Sequence, residues 1–276
     1  MGTLRKEWGS DFFGALNELP PQAVDGLAQV LEAMGTQRTF KEARVNLLKD
    51  LQLPKNGKLL EVGCGTGVSL QDVSAVYGQP ALVGIDFTSR FIDHARERAR
   101  KLGFVNATYV QGDARETKLG DNEFDSTFAD KLLLHIGPCE AVLEEMVRVT
   151  KRGGTVGVIE WYPNFLISTS TSDSFKKFNE IFEKAVYNYN VASNLERYFH
   201  SVGLTDLKPR TYLATTNSLD SEPFWRAFLV HQIPMFVHAG LISEQDGQKF
   251  VSDIEDLNKR GEFNASFIVR SVVGRK

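Results

Sequence analysis

The chain has 276 residues, 42% of them hydrophobic, with 32 basic and 35 acidic side chains and a formal net charge of −3. That length can bury a sizeable core, as one large domain or a domain with an embedded cap, and the near balance of charge gives no basic field to attract nucleic acid. Two cysteines, Cys64 and Cys139, are too few for a disulfide framework and suit a reducing, cytoplasmic setting. No N-terminal stretch reads as a secretory leader, and Lys6 stands where an N-myristoylation signal needs Ser or Thr. The longest apolar region, 227–241, is interrupted by His231, Gln232, Pro234 and His238, so no membrane span is expected.

Helical periodicity covers 10–34 and 38–52, the second stopping before Pro54. Short apolar strands at 58–62, 81–85, 106–110, 124–129 and 155–160 then alternate with helices at 68–77, 88–102 and 138–150. This alternation predicts an α/β fold with a doubly wound, mostly parallel sheet. Lys151-Arg152-Gly153-Gly154 reads as a helix stop before the fifth strand. After Glu160 the pattern changes to a Ser/Thr run at 168–174, an aromatic helix from Phe175 to Tyr189 and a helix from Leu195 to Val202. Two further strands, 207–214 and 264–273, flank a helical insertion. The expected division is an N-terminal helical segment (1–52), a cofactor-binding core (53–162), a cap helix (163–192), the end of the sheet (193–217 and 261–276) and the insertion (218–260).

The chemistry concentrates in Leu59-Leu60-Glu61-Val62-Gly63-Cys64-Gly65-Thr66-Gly67, an apolar strand running into three alternating glycines. Glycines reach backbone angles closed to other residues and let a ligand approach the main chain, as at a nucleoside cofactor. A dinucleotide fingerprint would need Gly or Ala where Val68 stands, and Glu61 would repel a pyrophosphate. The same carboxylate suits a ligand ending in an ammonium group, such as S-adenosylmethionine. Ala81-Leu82-Val83-Gly84-Ile85 ends at Asp86, placed to take ribose hydroxyls, and the ring of Phe87 can lie on an adenine. Gly112-Asp113-Ala114 closes the third strand, where Asp113 can accept from the adenine amino group.

On these motifs, together with Phe124-Asp125 and Arg148-Val149-Thr150-Lys151-Arg152-Gly153-Gly154, the chain resembles the class I S-adenosylmethionine-dependent methyltransferases, in particular their ubiquinone-biosynthesis-like small-molecule branch. The resemblance covers roughly 38–162. It implies a seven-stranded Rossmann-like sheet whose last two strands are antiparallel, with N-terminal helices, a helical cap and S-adenosyl-L-methionine as cofactor. It assigns the methionine end to Glu61, Gly63, Gly65 and Gly67, the ribose to Asp86 and the adenine to Asp113; Cys64, Phe87, Ala114 and Ala129 complete the cofactor-binding set.

Methyl transfer from a sulfonium is an in-line displacement, so alignment and exclusion of water are the main tasks, and a cap serves both. Cap candidates are Trp8, Phe12 and Phe13, the stretch Trp161-Tyr162-Pro163-Asn164-Phe165, the helix at 175–190, and the insertion with Phe224, Trp225, Phe228 and Phe236. The catalytic candidates follow the fourth strand: His135 as a general base or acceptor-orienting group, and Asp130 as a holder of an acceptor amine or a cap of the next turn. His94 reads as surface, His231 and His238 lack partners for a metal site, and Cys64 offers a backbone amide rather than a nucleophile. Arg38 and Arg44 reach the methionine carboxylate or line a solvated helix face. The expected activity is methylation of a small, partly apolar or aromatic organic acceptor, with no nucleic-acid partner and the oligomeric state open. The alternatives are a cofactor-binding module or another reaction on the same fold, and an NAD-dependent oxidoreductase.

Overall fold

The computed structural model describes residues 14–18, 21–167 and 173–276. The helix expected over 10–34 is instead a 3-10 turn, Gly14–Glu18, and a helix α1, Pro21–Thr36. The proline is the reason α1 begins there, because its fixed φ and missing N–H suit the first turn of a helix and not its interior. Trp8, Phe12 and Phe13 lie outside the described residues. Helix α2, Arg38–Leu51, is capped by the Gln37 side chain, which accepts from the N–H groups of Thr39 and Phe40, and it buries Phe40, Ala43, Leu47, Leu48 and Leu51 along one face.

The parallel strands are β1 (Lys58–Val62), β2 (Ala81–Asp86), β3 (Ala107–Gln111), β4 (Phe124–Asp130) and β5 (Thr150–Trp161). A two-residue β6 (Leu166–Ile167), then β7 (Thr205–Thr216) and β8 (Ala265–Arg275), complete a mixed sheet in which β8 runs antiparallel to β5, to β6 and to β7. The seven expected strands are present and β6 adds an eighth. The expected stop at Lys151–Gly154 is absorbed into β5, which begins at Thr150; the extra residues are taken up by a register shift against β4, and Gly153 supplies the positive φ of +77°.

Strand order is β3-β2-β1-β4-β5, so the direction of winding reverses between β1 and β4. A crevice opens there, outside the carboxyl ends of the strands. Helices α3 (Leu70–Tyr77), α4 (Ser89–Lys101), α5 (Cys139–Val149), α6 (Asp173–Ala185) and α7 (Leu195–Ser201) follow in order. The insertion is helical as expected: α8 (Pro223–Arg226), a π turn (Ala227–His231), α9 (Ile233–His238) and α10 (Glu244–Lys259).

Rings join the sheet to the cap. Trp161 at the end of β5 meets Phe40 of α2, Phe182 of α6 and Phe228 of the π turn edge-to-face, at centroid distances of 6.3, 6.0 and 5.4 Å. Phe178 of α6 stacks on Phe250 of α10 at 4.3 Å. Helix α1 is pinned over the β2–α4 turn by ions: the Asp25 carboxylate takes two hydrogen bonds from Arg90 at 2.8 and 2.9 Å and lies 2.8 Å from His94 Nε2. His94 is therefore a partner of α1 rather than a free surface residue. Asn17 adds a latch, donating to the Phe87 carbonyl and accepting from the Ser89 N–H, both at 3.0 Å.

Candidate active site

The turn after β1 needs its glycines. Gly63, Gly65 and Gly67 have φ of +70°, +50° and +72°, the left-handed region that side chains rarely adopt. A Cβ on Gly65 would meet nothing within 4 Å, so this residue opens onto the crevice, whereas one on Gly67 would press on Ala95 of α4 at 3.0 Å. Gly67 thus serves loop-to-helix packing. The Cys64 N–H donates to the Ile85 carbonyl of β2 at 2.9 Å, so the amide expected to face a cofactor is already engaged. Burial pushes the Cys64 thiol well up, which removes it as a nucleophile.

Glu61, Gly63, Cys64, Gly65, Asp86, Phe87, Asp113, Ala114, Asp130 and His135 all line one cleft of about 130 Å³ at the switch point. Of the residues singled out in the sequence, Gly67 and Ala129 stand behind its wall, and Ala129 is fully buried in β4 between Val62 and Val158. The four carboxylates of the cleft, Asp130 among them, have distinct environments. Glu61 is buried, which pushes its pKa up to about 8 against the opposing hydrogen bond from the Ser69 hydroxyl at 2.5 Å. Asp86 is raised by burial, while its oxygens accept from the Gly65 N–H at 2.9 Å and the Thr88 N–H at 2.8 Å. Asp113 is lowered by the hydrogen bonds of Arg115, whose side chain grips it at 3.0 and 2.8 Å and reaches on to the Gly137 carbonyl at 3.2 Å. Phe87 is 41% exposed, a large ring facing the cleft.

The charge that organises the floor is Arg44, only 1% exposed. Its guanidinium donates to Asp72 and Asp130 at 2.7 Å each and to the Gly35 carbonyl at 2.6 Å, tying α2 to α3, to the tip of β4 and to the end of α1. Arg44 therefore lies on no solvated face, whereas Arg38 is exposed. Asp130 also receives Lys131 Nζ at 2.5 Å; burial pushes its carboxyl up, but the charges of Lys131 and Arg44 outweigh that and hold it below its ordinary value. Lys131 sits at φ +61° with its ammonium 4.7 Å from the centre of the Phe40 ring, and burial lowers its pKa. The sequence does carry a signal for Arg44: it stands inside the apolar stripe Phe40, Ala43, Leu47, Leu48 of α2, where an arginine must be buried and paired. Lys131 and Arg115 gave no such signal, since their partners are set by how the chain turns after β4 and β3.

His135 is on the loop after β4. That loop is held by the Glu160 carboxylate, which accepts from the Leu133 N–H at 2.6 Å, and by the Asn188 side-chain amide, which donates to the carbonyls of Leu133 and Ile136 at 2.9 and 3.1 Å. Burial pushes the imidazole down to about 4, so it is neutral at physiological pH. His135 also lines a second cavity of about 90 Å³, walled by Trp161 and Phe182 with Phe228, Gln232, Met235 and Phe236 of the insertion, and with Leu27 and Val30 of α1. Leu31, Met34 and His135 belong to both walls. Of the cap aromatics expected from the sequence, Phe224, Trp225, Phe165 and Phe178 are fully buried in the packing instead. His231 and His238 are exposed, and among the described residues no group of three or more His, Cys, Asp or Glu side chains could hold a metal ion.

Residues 53–203, which include the glycine turn, the acidic first strand and the acidic second-strand tip of this cleft, match the family model described as a methyltransferase domain. The chain belongs to the methyltransferase-domain family. This methyltransferase is 30% identical over 131 residues to the sterol 24-C-methyltransferase of Neurospora crassa, a match covering 47% of the chain and 33% of that protein. It is 25% identical over 214 residues to the demethylmenaquinone methyltransferase of Staphylococcus saprophyticus, covering 69% of the chain and 88% of the relative. The match thus spans about a third of the sterol enzyme's length. The fold is also that of Haemonchus contortus phosphoethanolamine N-methyltransferase 2 in complex with S-adenosyl-L-methionine, at a TM-score of 0.59 and 18% identity over all of this chain and 60% of that one. The chain thus carries a methyltransferase domain of Rossmann-like fold. The binding-module and oxidoreductase alternatives are not favoured, and among the described residues no helix is long and apolar enough to cross a membrane.

Proposed function

We propose that the protein methylates a small, uncharged and largely apolar organic acceptor seated in the second cavity, with S-adenosylmethionine in the cleft. The observation that carries this reading is the wall of that cavity: among the described residues it has no Asp, Glu, Lys or Arg, and it adjoins the cofactor cleft through His135, Leu31 and Met34. The residues of the cleft fit the cofactor. Gly65 leaves backbone open to the ligand, Glu61 can meet the ammonium, Asp86 keeps a free lone pair on each oxygen for the ribose hydroxyls, Phe87 offers a ring to the adenine and Asp113 an acceptor to its amino group. When bound, the sulfonium supplies an electrophilic methyl group. His135, neutral and at the junction, is placed to take a proton from an ionisable acceptor. Asp130 is read differently from the sequence expectation: two cations satisfy its oxygens, so it positions the loop after β4 rather than holding an acceptor amine.

The segment 163–192 and the insertion 218–260 form the cap over the acceptor in this reading. A sterol or demethylmenaquinone acceptor, as in the names of two relatives, is in keeping with an apolar chamber, whereas a phosphorylated amine would find no cation on its wall. The test is incubation with methyl-labelled S-adenosylmethionine and a panel of uncharged ring acceptors beside phosphoethanolamine, read by mass spectrometry. Label is expected only in uncharged acceptors. Label in phosphoethanolamine alone would overturn the assignment.

A further inference from the structure

Besides His135, two side chains with polar atoms line the second cavity: Trp161, whose indole N–H is buried, and Gln232, whose amide is held in one orientation. Nε2 donates to the Phe228 carbonyl at 2.6 Å. An oxygen at that distance from another oxygen would be repelled, so the NH2 must face Phe228 and Oε1 must face away from it. Oε1 takes no hydrogen bond from a described residue, although Gln232 is only 6% exposed and lines the cavity. The backbone explains how a polar group comes to stand there. Gln232 follows the π turn Ala227–His231, and its own carbonyl accepts the N–H groups of Met235 and Phe236 that start α9. A π turn re-aims side chains relative to a regular helix and recurs at functional sites.

We infer that Gln232 sets the specificity of the acceptor chamber by accepting a hydrogen bond from a neutral donor, a hydroxyl or N–H, on an otherwise apolar acceptor. This rests on the reading of the second cavity as the acceptor chamber. An apolar ligand filling the cavity would strip this oxygen of water and offer it no donor, whereas a ligand carrying a hydroxyl or N–H would satisfy it. Sites built to hydrogen-bond a substrate hydroxyl reject the analogue that lacks it far more strongly than apolar pockets reject an added methylene. The fixed amide gives the sign of the selection: an acceptor-only group such as an ether would set oxygen against oxygen.

The experiment uses the full chain loaded with S-adenosylhomocysteine and three flat probes, 2-naphthol, 2-methylnaphthalene and 2-methoxynaphthalene, with Kd from ligand-observed NMR. The Kd ratio of 2-methylnaphthalene to 2-naphthol is compared between the wild type and the two variants Gln232→Leu and Gln232→Met, which removes the differing hydrophobicity of the probes from the comparison. The ratio is expected to fall about tenfold in both variants, with S-adenosylhomocysteine affinity retained and the melting temperature lowered by the loss of the hydrogen bond to the Phe228 carbonyl. In the wild type alone, 2-naphthol should bind more tightly than 2-methoxynaphthalene, a result independent of whether either variant folds. An unchanged ratio in folded variants, or equal affinity of the wild type for naphthol and its ether, overturns the role of Gln232 and leaves the chamber standing. If none of the three probes binds the wild type, the chamber reading falls and the inference with it.

Discussion

The two cavities that meet at His135 are built in opposite ways. The cofactor cleft is made of strand tips and the turns directly after them, Glu61 to Thr66, Asp86 and Phe87, Gly112 to Arg115, and it is dense in buried charge around Arg44. The second cavity draws one or a few apolar side chains each from α1, β5, α6, the π turn and α9, with no charged group among its described lining. The first grips a ligand with groups whose positions follow from a few consecutive residues. The second is an enclosure whose shape exists only once distant segments have packed. On the proposed reading, the difference makes cofactor recognition and acceptor recognition separable by mutation, and the joint between the two cavities is Leu31, Met34 and His135.

The strongest way to break that comparison is at Arg44. Arg44→Met leaves Asp72 and Asp130 buried beside each other with Lys131 as the remaining close cation for Asp130, and should lower unfolding free energy by about 3–5 kcal/mol. Met235→Leu in the chamber conserves volume and should cost less than about 1.5 kcal/mol. Urea unfolding of both variants checks the contrast, and equal losses would mean that the cleft does not depend on its buried ions. At the joint, His135→Ala should reduce turnover about 100-fold or more with S-adenosylhomocysteine affinity unchanged, since general-base catalysis contributes about that much. The rate limb it abolishes should lie near pH 4, where burial places the imidazole, rather than near the ordinary 6.5. Retained turnover would leave alignment and water exclusion as the sources of rate.

On the cofactor side alone, Asp86→Ala should weaken S-adenosylhomocysteine binding by about 1–3 kcal/mol in calorimetry while leaving probe binding in the chamber intact. A loss in both cavities would show that they are not separable. The smallest effect is the response of the free protein to pH. Glu61 and Glu160 keep their protons in the fold up to about pH 8 but release them near 4.5 when unfolded. The folded chain then binds more protons across that window, so stability falls as pH rises through it. His135 has its folded pKa depressed to about 4 and opposes this only below pH 6.5, by destabilising the fold as pH drops. Between pH 6.5 and 7.5 the two carboxyls should therefore lower stability by ~1 kcal/mol each, and Glu61→Gln should remove its share. Denaturant midpoints at the two pH values decide; a rise in stability would mean that Glu61 is ionised in the free protein.

The sequence by itself determined the alternation of strands and helices, the class of fold and the glycine turn after β1. Each of these depends on local rules: hydrophobic period, the φ that only glycine reaches, and a carboxylate at the end of an apolar run. It misplaced what depends on partners far along the chain. Gly153-Gly154 belongs to β5 because β4 was there to pair with, His94 meets Asp25 because α1 crosses α4, and the Cys64 amide is spent on Ile85 of the neighbouring strand. Tertiary structure alone decided which aromatics of the cap face a cavity and which are filler: Phe228 and Phe236 line the chamber while Phe224 and Trp225, in the same insertion, are sealed in the core. Helical spacing gives all four rings the same pattern, and only the crossing of α1, α6 and the sheet end determines which faces meet a neighbour and which enclose a space.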